Sequence, residues 1–164
     1  MSSGMLRAGC RLTGWLNRIG EFLPPLGLRL LLAYEFWESG LVKYQGENWF
    51  TEIQAQFPFP FDLIPVTVSW WAVTWSELLG AVALVIGLGT RLFGAALLVL
   101  TLVAWASVHA GSGYNVCDNG FKLPLIYLVM LLPLIFSGPG RLSLDHLIAR
   151  RMTCAASGGT RSPP

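Results

Sequence analysis

The sequence contains few charged residues for a chain of its length. Only 12% of its 164 residues are Asp, Glu, Lys or Arg, whereas an ordinary soluble domain has about 25%. Hydrophobic residues make up 54%, and the formal net charge is only +2, so nothing indicates a nucleic-acid partner. The composition excludes an ordinary soluble domain and predicts an integral membrane protein whose main partner is the lipid bilayer.

Several motifs of well-known chemistry are also missing. The sequence has no paired histidines for haem, no C-x-x-C, no phosphate-binding glycine loop and no G-x-S-x-G element. Haem, thiol-exchange, nucleotide and serine-hydrolase functions therefore lack support. Cysteine is scarce, with only Cys10, Cys117 and Cys154. Because Cys117 falls on the opposite side of the predicted membrane from the other two, no intrachain disulfide is expected.

The chain does have four long apolar segments, at residues 24–44, 67–90, 92–110 and 121–138. Each is long enough to span a bilayer, which takes roughly 17 to 25 helical residues. The second and third segments are separated by so short a turn that they form an antiparallel hairpin. The pattern predicts an all-α membrane protein, a four-transmembrane-helix antiparallel bundle, over residues 24–138.

Short amphipathic helices are predicted at both ends of the bundle. In the segment 1–23, residues 12–23 carry hydrophobic side chains at helical spacing, and two prolines then suit the first turn of the next helix. Residues 139–164 start with a glycine stop and continue from the cap candidate Ser143 into a short helix, and the last ten residues are predicted to be disordered. Basic residues cluster in both ends and at Arg91, so the positive-inside rule places both termini in the cytoplasm.

Three glutamates interrupt the first two predicted spans. Glu35 and Glu38 lie on one helix face, and Glu77 of the second span falls at a similar depth. Placing an ionised carboxylate at the bilayer centre costs roughly 2.5 to 3.5 kcal/mol, so the group must be paired with a cation, protonated or in contact with water. Neither Arg29 nor Lys43 is ideally spaced as an intrahelical partner. We predict that the three glutamates form a catalytic group that shares protons or binds a cation; the alternative is a set of hydrogen-bonded clamps between helices.

A second polar group is predicted at the outer mouth of the bundle. Within "HAGSGYNVCDNGFK" we interpret His109, Tyr114, Asn115 and Asp118 as substrate-binding residues. His109, Cys117 and Asp118 are candidate ligands for a transition metal, since His, Cys and Asp are a suitable set. The H-x7-C-D spacing matches no standard site, however, and the alternative is a simple interfacial polar group.

The first outer connection, residues 45–65, is rich in aromatic residues and proline. Loops longer than about 15 residues are often functional, so one hypothesis is a lid over the helix bundle. The other is interfacial anchoring by the aromatic side chains.

Two stretches resemble a known family. "SELLGAVALVIGLGTRLFGAALL" and "SGPGRLSLD", with "GLVK" at the end of the first span, resemble the DoxX family of small four-helix bacterial inner-membrane proteins over about residues 26–147. The longer stretches "FWESGLVKYQGENWF" and "HAGSGYNVCDNGFK" are similar to the branch associated with maturation of copper-binding ribosomally synthesised peptides. The residues that carry the family match are Gly40, Lys43, Glu77, Arg91, Arg141 and Asp145, and those of the narrower branch are Glu35, Glu38, His109, Asn115 and Asp118.

The resemblance implies a redox-associated membrane subunit of an oxidoreductase system that assists maturation of a periplasmic copper-binding peptide alongside other membrane maturation proteins. It does not identify a cofactor, although copper or a quinone is compatible with it. Two alternatives stay open on the residues alone: a transporter of a small solute or cation, and a non-catalytic scaffold for redox partners. Arg141 and Asp145, four residues apart, are interpreted as a structural ion pair, and Arg91 as a side chain that snorkels to the inner surface.

Overall fold

The computed structural model describes residues 3–158, with side chains over residues 11–152. This part of the chain is all-helical and contains no strand, which confirms the predicted all-α class. The disordered tail is predicted over the last ten residues, but the first four of them are helical, since the last helix ends at Gly158; the last six lie outside the described residues. The helices are α1 (Ser3–Gly20), α2 (Leu23–Gln45), α3 (Phe50–Ile53), α4 (Val66–Ile86), α5 (Thr90–Ala104), α6 (Lys122–Phe136) and α7 (Leu144–Gly158).

Four of these helices, α2, α4, α5 and α6, pack side by side in a ring, with α2 against α4 and α6, and α5 against α4 and α6. Successive members run in opposite directions, because the start of α2 lies beside the end of α4 and the start of α5 beside the end of α6. We call the end with the connections 46–65 and 110–121 the upper end. The other end, with the tight α4–α5 turn and both terminal helices, is the lower end.

Small residues let these helices approach closely. A Cβ atom on Gly40 of α2 would lie 2.9 Å from the Leu78 side chain of α4, and one on Gly80 of α4 would lie 3.0 Å from Leu97 of α5. In lipid, where apolar burial does not drive helix association, such close backbone approach supplies much of the packing energy. The lower half of the ring is filled by a core of fully buried leucines at positions 32, 84, 97, 131 and 134.

Within the described residues, two helical segments are long and apolar enough to cross a membrane, Val66–Ile86 and Thr90–His109. The second includes a π-helical turn, Trp105–His109, that continues α5. Helix α6 is apolar but has only 15 residues, and α2 carries Arg29, Glu35, Glu38 and Lys43. Length and composition alone therefore identify two of the four predicted spans.

The lower end is held together by Arg29, which is 1% exposed. Its guanidinium donates to the carbonyls of Leu84 at 2.7 Å and Val85 at 2.8 Å, which have no partner within α4 because they belong to its last turn. It also donates to the carbonyls of Leu142 at 2.7 Å and Pro139 at 3.1 Å in the segment after α6. One buried side chain therefore joins α2 to two other parts of the chain.

Asp145 makes the second lower connection, and the predicted Arg141–Asp145 ion pair is wrong. The Asp145 carboxylate accepts hydrogen bonds from the backbone N–H groups of Gly89 at 2.7 Å and Thr90 at 2.9 Å, at the start of α5. Arg141 pairs with Glu21 at 3.0 Å. The spacing rule for four-residue pairs applies within a helix, and Arg141 precedes α7, which begins at Leu144.

The terminal helices agree with the sequence prediction in kind and differ in length. Helix α1 starts at Ser3, well before the predicted amphipathic stretch, and its Leu12, Trp15 and Leu16 side chains are more than half exposed. The Ser143 prediction is confirmed, since its hydroxyl accepts from the N–H of His146 in the first turn of α7 at 3.2 Å.

Candidate functional site

A cavity of about 680 Å³ lies in the upper half of the ring. It is surrounded by α2, α4, α5 with its π-helical turn, the start of α6, and the connection 46–65. Small-molecule sites typically have volumes of about 300 to 1,000 Å³ and mostly apolar walls with a few polar groups. This cavity has that character. Its charged and phenolic lining side chains are Glu35, Glu38, Lys43, Glu77 and Tyr127.

Glu77 and Lys43 form an ion pair on the cavity wall. The ammonium of Lys43 on α2 lies 2.9 Å from both carboxylate oxygens of Glu77 on α4. Ser39, one turn before Lys43, accepts from that ammonium at 2.7 Å and donates to Glu77 at 3.2 Å. The side chains are only 13% and 3% exposed. Glu77 is therefore held by a cation and a hydroxyl from the neighbouring helix.

The other two glutamates have different surroundings. The Tyr127 hydroxyl of α6 donates to Glu35 at 2.6 Å. Glu38 is exposed and accepts no hydrogen bond from the side chains described over residues 11–152. All three carboxylates line the cavity, as the common depth predicts, but none is hydrogen-bonded to another. The prediction that they share protons directly therefore has no contact to support it in this arrangement.

The connection 46–65 covers the upper side of the cavity, and we call it the lid segment. Helix α3 and two 3-10 turns (Gln54–Gln56, Phe61–Leu63) make up most of it. Phe50 is buried, with ring centroids 5.1 Å from Trp70 and 5.3 Å from Phe57, both in edge-to-face geometry. This arrangement matches the lid hypothesis for these side chains. Trp71, which points away and is 43% exposed, keeps the interfacial role as a prediction.

The structure brings only one of the predicted mouth residues to the cavity. His109 lines it from the π-helical turn, and its Nδ1 lies 2.7 Å from the carbonyl of Asn119. A π-helical turn inside an α-helix is often found at a functional site. Asn115 donates to Asp118 at 2.9 Å in an exposed turn. Tyr114, Asn115, Cys117 and Asp118 are exposed and do not line the cavity.

The predicted metal ligands are not assembled. In the described part of the chain, no three His, Cys, Asp or Glu side chains are grouped so that they could hold a metal ion. Asp118 is instead bonded to Asn115, and Cys117 is an exposed free thiol. The His109 ring contacts the backbone carbonyl of Asn119. In this arrangement His109, Cys117 and Asp118 therefore do not form a coordination site for copper.

Sequence reasoning left open whether Lys43 pairs across helices. Its spacing from Glu38 is poor, and its partner Glu77 is 34 residues away on another helix. The same reasoning missed two other contributors to the site, Ser39 and Tyr127. A polar side chain within an otherwise apolar span, facing the same depth as a glutamate, is the signal that identifies both.

Comparisons with known proteins give one family match and one relative. The DoxX family model matches residues 24–110, about half of the chain. A relative from Haemophilus influenzae, described as an uncharacterized protein, is 53% identical over 141 residues, which cover 86% of this chain and 91% of that protein. No solved structure matches the chain.

Proposed function

The chain belongs to the DoxX family of membrane proteins, and on that basis we propose that it is a multi-pass inner-membrane subunit or accessory factor in redox-associated maturation of a periplasmic copper-binding peptide. The resemblance of residues 36–50 and 109–147 to the corresponding branch supports the choice of pathway. The cavity under the lid segment supports the choice of site, because it lies in the half of the ring that the proposed topology directs toward the periplasm.

The proposed topology has four spans, α2, α4, α5 and α6, with both termini in the cytoplasm. The pairing of both cations of α2 within the ring supports its place among the spans: Arg29 donates to carbonyls, and Lys43 pairs with Glu77. Labelling of single-cysteine variants in intact cells tests this. With the other cysteines replaced by serine, Cys117 should react with a membrane-impermeant maleimide in intact cells, while a cysteine at exposed Arg150 should react only after lysis. The reverse pattern contradicts the orientation.

The cavity is the observation that carries the functional proposal. It joins a charged wall, where Lys43 and Glu77 are paired, to a phenol–carboxylate contact between Tyr127 and Glu35. Such groups hold and move protons, which accompany most two-electron oxidations of organic groups. Glu38, which lines the same cavity without a hydrogen bond to a described side chain, is the carboxylate best placed to contact a substrate.

Mass spectrometry of the peptide tests this role. The peptide is produced together with its other maturation proteins, with or without this protein, and its mass distribution is compared. We expect deletion of this protein and Glu38→Gln both to reduce the mature form. Glu52→Gln, an exposed lid-segment change outside the cavity lining, should leave it unchanged. Full maturation in Glu38→Gln and Glu35→Gln would contradict a role for the cavity carboxylates, and full maturation without the protein would contradict the pathway.

Transport receives less support from the geometry than a role in maturation. Below the cavity the ring is closed by Leu32, Leu84, Leu97 and Leu131, each 0% exposed, so no path leads through the lower half. A scaffold differs from a protein with a working cavity in its response to cavity substitutions. If the protein is a scaffold, maturation stays intact when Glu35 and Glu38 are changed, and crosslinking still recovers the protein in a complex with its partners.

A further inference from the structure

The exposed lining residues of α4 and α5 indicate a lateral opening of the cavity between these two helices. The helices pack tightly where Gly80 meets Leu97, and residues of both helices line the cavity. Four of these lining residues are apolar and exposed. Val68 is 56% exposed and Val99 45%, and Ala72 and Ala96 are exposed as well. In a membrane protein this apolar opening faces hydrocarbon, so an amphipathic molecule reaches the cavity from the bilayer.

The ionisable side chains of the cavity lining carry more negative than positive charge. Its lining has three carboxylates, from Glu35, Glu38 and Glu77, and one ammonium, from Lys43. Lys43 is fully engaged by Glu77 and Ser39. The two other carboxylates have no cation within hydrogen-bonding distance among the described residues. A ligand that brings a positive charge therefore compensates groups that are costly to leave unpaired at membrane depth.

Aromatic rings form a large part of the remaining wall. The lid segment contributes Trp49, Phe50, Phe57 and Phe61, and Tyr127 lies on the opposite side. Aromatic faces attract organic cations, and the attraction is larger when the cation is desolvated. Apolar walls, aromatic faces and uncompensated carboxylates together select a cation with a hydrophobic body over an inorganic ion or an anion.

We infer that the cavity binds an amphipathic organic cation, which enters from the bilayer through the opening between α4 and α5 and places its charge near Glu35 and Glu38. This inference deepens the proposed function, because it assigns a substrate class to the same cavity. It is independent of the peptide pathway, since binding by the purified protein does not require the other maturation proteins.

Two probe ions of equal size and opposite charge test the inference. The purified full chain is placed in lipid nanodiscs, and binding of tetraphenylphosphonium and tetraphenylborate is measured by equilibrium dialysis, with empty nanodiscs as the blank. We expect saturable binding of the cation at one site per chain and no saturable binding of the anion. Glu38→Gln and Glu35→Gln should each weaken cation binding about fivefold, as expected for loss of one partly exposed charge contact.

Control variants separate the site from the fold and from the lipid. Glu52→Gln should bind the cation within about twofold of the unmodified chain, since a solvated charge outside the cavity contributes little. Ala96→Phe narrows the opening on the lipid side, and it should slow association of the cation several-fold while the unfolding temperature stays the same. Equal saturable binding of both ions, or unchanged cation affinity in both cavity variants, would overturn the inference. Cation binding together with full peptide maturation in the absence of the protein would leave this inference standing and contradict only the proposed function.

Discussion

Replacing Lys43 with methionine gives a quantitative test of the ion pair in the cavity wall. Methionine keeps an unbranched apolar side chain of similar length and removes the ammonium. Glu77, 2% exposed, then retains only the 3.2 Å hydrogen bond from Ser39. It must either stay ionised without its cation or take up a proton, and both alternatives cost free energy.

The expected loss of stability depends on pH. An unpaired carboxylate at membrane depth costs roughly 2.5 to 3.5 kcal/mol, and protonating an ordinary glutamate costs about 4 kcal/mol at pH 7 but about 1 kcal/mol at pH 5. Glu77 adopts whichever of the two states costs less free energy, and that cost is the expected loss of stability. Lys43→Met should therefore lower the free energy of unfolding by about 3 kcal/mol at pH 7, and by about 1 kcal/mol at pH 5.

Unfolding in mixed micelles of increasing denaturing detergent, followed by tryptophan fluorescence at both pH values, measures this loss. The double variant Lys43→Met with Glu77→Gln removes both charges, and it should recover about 2 kcal/mol of the loss at pH 7, because an unpaired buried charge is worse than none. Lys122→Met, at the start of α6, is the matched control and should change stability by less than about 0.5 kcal/mol. A pH-independent loss, or none, would refute the reasoning.

Three further predictions, two of them with a control substitution, are tested by the same unfolding assay. Gly40→Ala should lower the free energy of unfolding by about 1 to 3 kcal/mol, because the added methyl would lie 2.9 Å from the packed Leu78 side chain. Gly27→Ala is the control and should be neutral or stabilising, since a methyl there has no atom within 4 Å. Equal effects of the two changes would contradict the close approach of α2 and α4 at Gly40. Asp145→Ala should lower the free energy of unfolding by about 1 to 2 kcal/mol, because the start of α5 loses its cap. Arg141→Ala should lower it by less than about 0.5 kcal/mol, since the Arg141–Glu21 pair is half exposed. Similar losses in the two variants would favour the predicted Arg141–Asp145 pair instead. Arg29→Met should cost roughly 3 kcal/mol or more, because buried carbonyls lose their donor, and a smaller loss would show that water replaces it.

The sequence was sufficient to position the helices of the ring. Apolar runs predicted a first span over residues 24–44, and α2 extends over Leu23–Gln45. Apolar length is a local property, so a contiguous stretch of sequence contains it. The same holds for the Ser143 cap, which depends on residues three positions apart.

The site could be predicted only in part because its contacts join different helices. The common depth of Glu35, Glu38 and Glu77 correctly indicated one shared cavity. Their individual partners depend on the rotation of each helix about its axis, which turns Lys43 toward Glu77 and Tyr127 toward Glu35. Periodicity within one helix does not contain that information. The metal hypothesis assumed that residues close together in a loop sequence converge in space, and in the described residues their side chains are not grouped.

The four bonds of Arg29 have a consequence for how the protein is made. The ribosome synthesises the chain from its N-terminus, so Arg29 emerges 110 residues before its acceptor Pro139. Until α6 and the following segment arrive, the guanidinium has only the two carbonyls at the end of α4 as partners. The hairpin of α2 and α4 is thus left with an incompletely satisfied charge during biogenesis. A nascent chain interrupted before residue 139 keeps this defect, because the carbonyls of Pro139 and Leu142 never become available to the guanidinium.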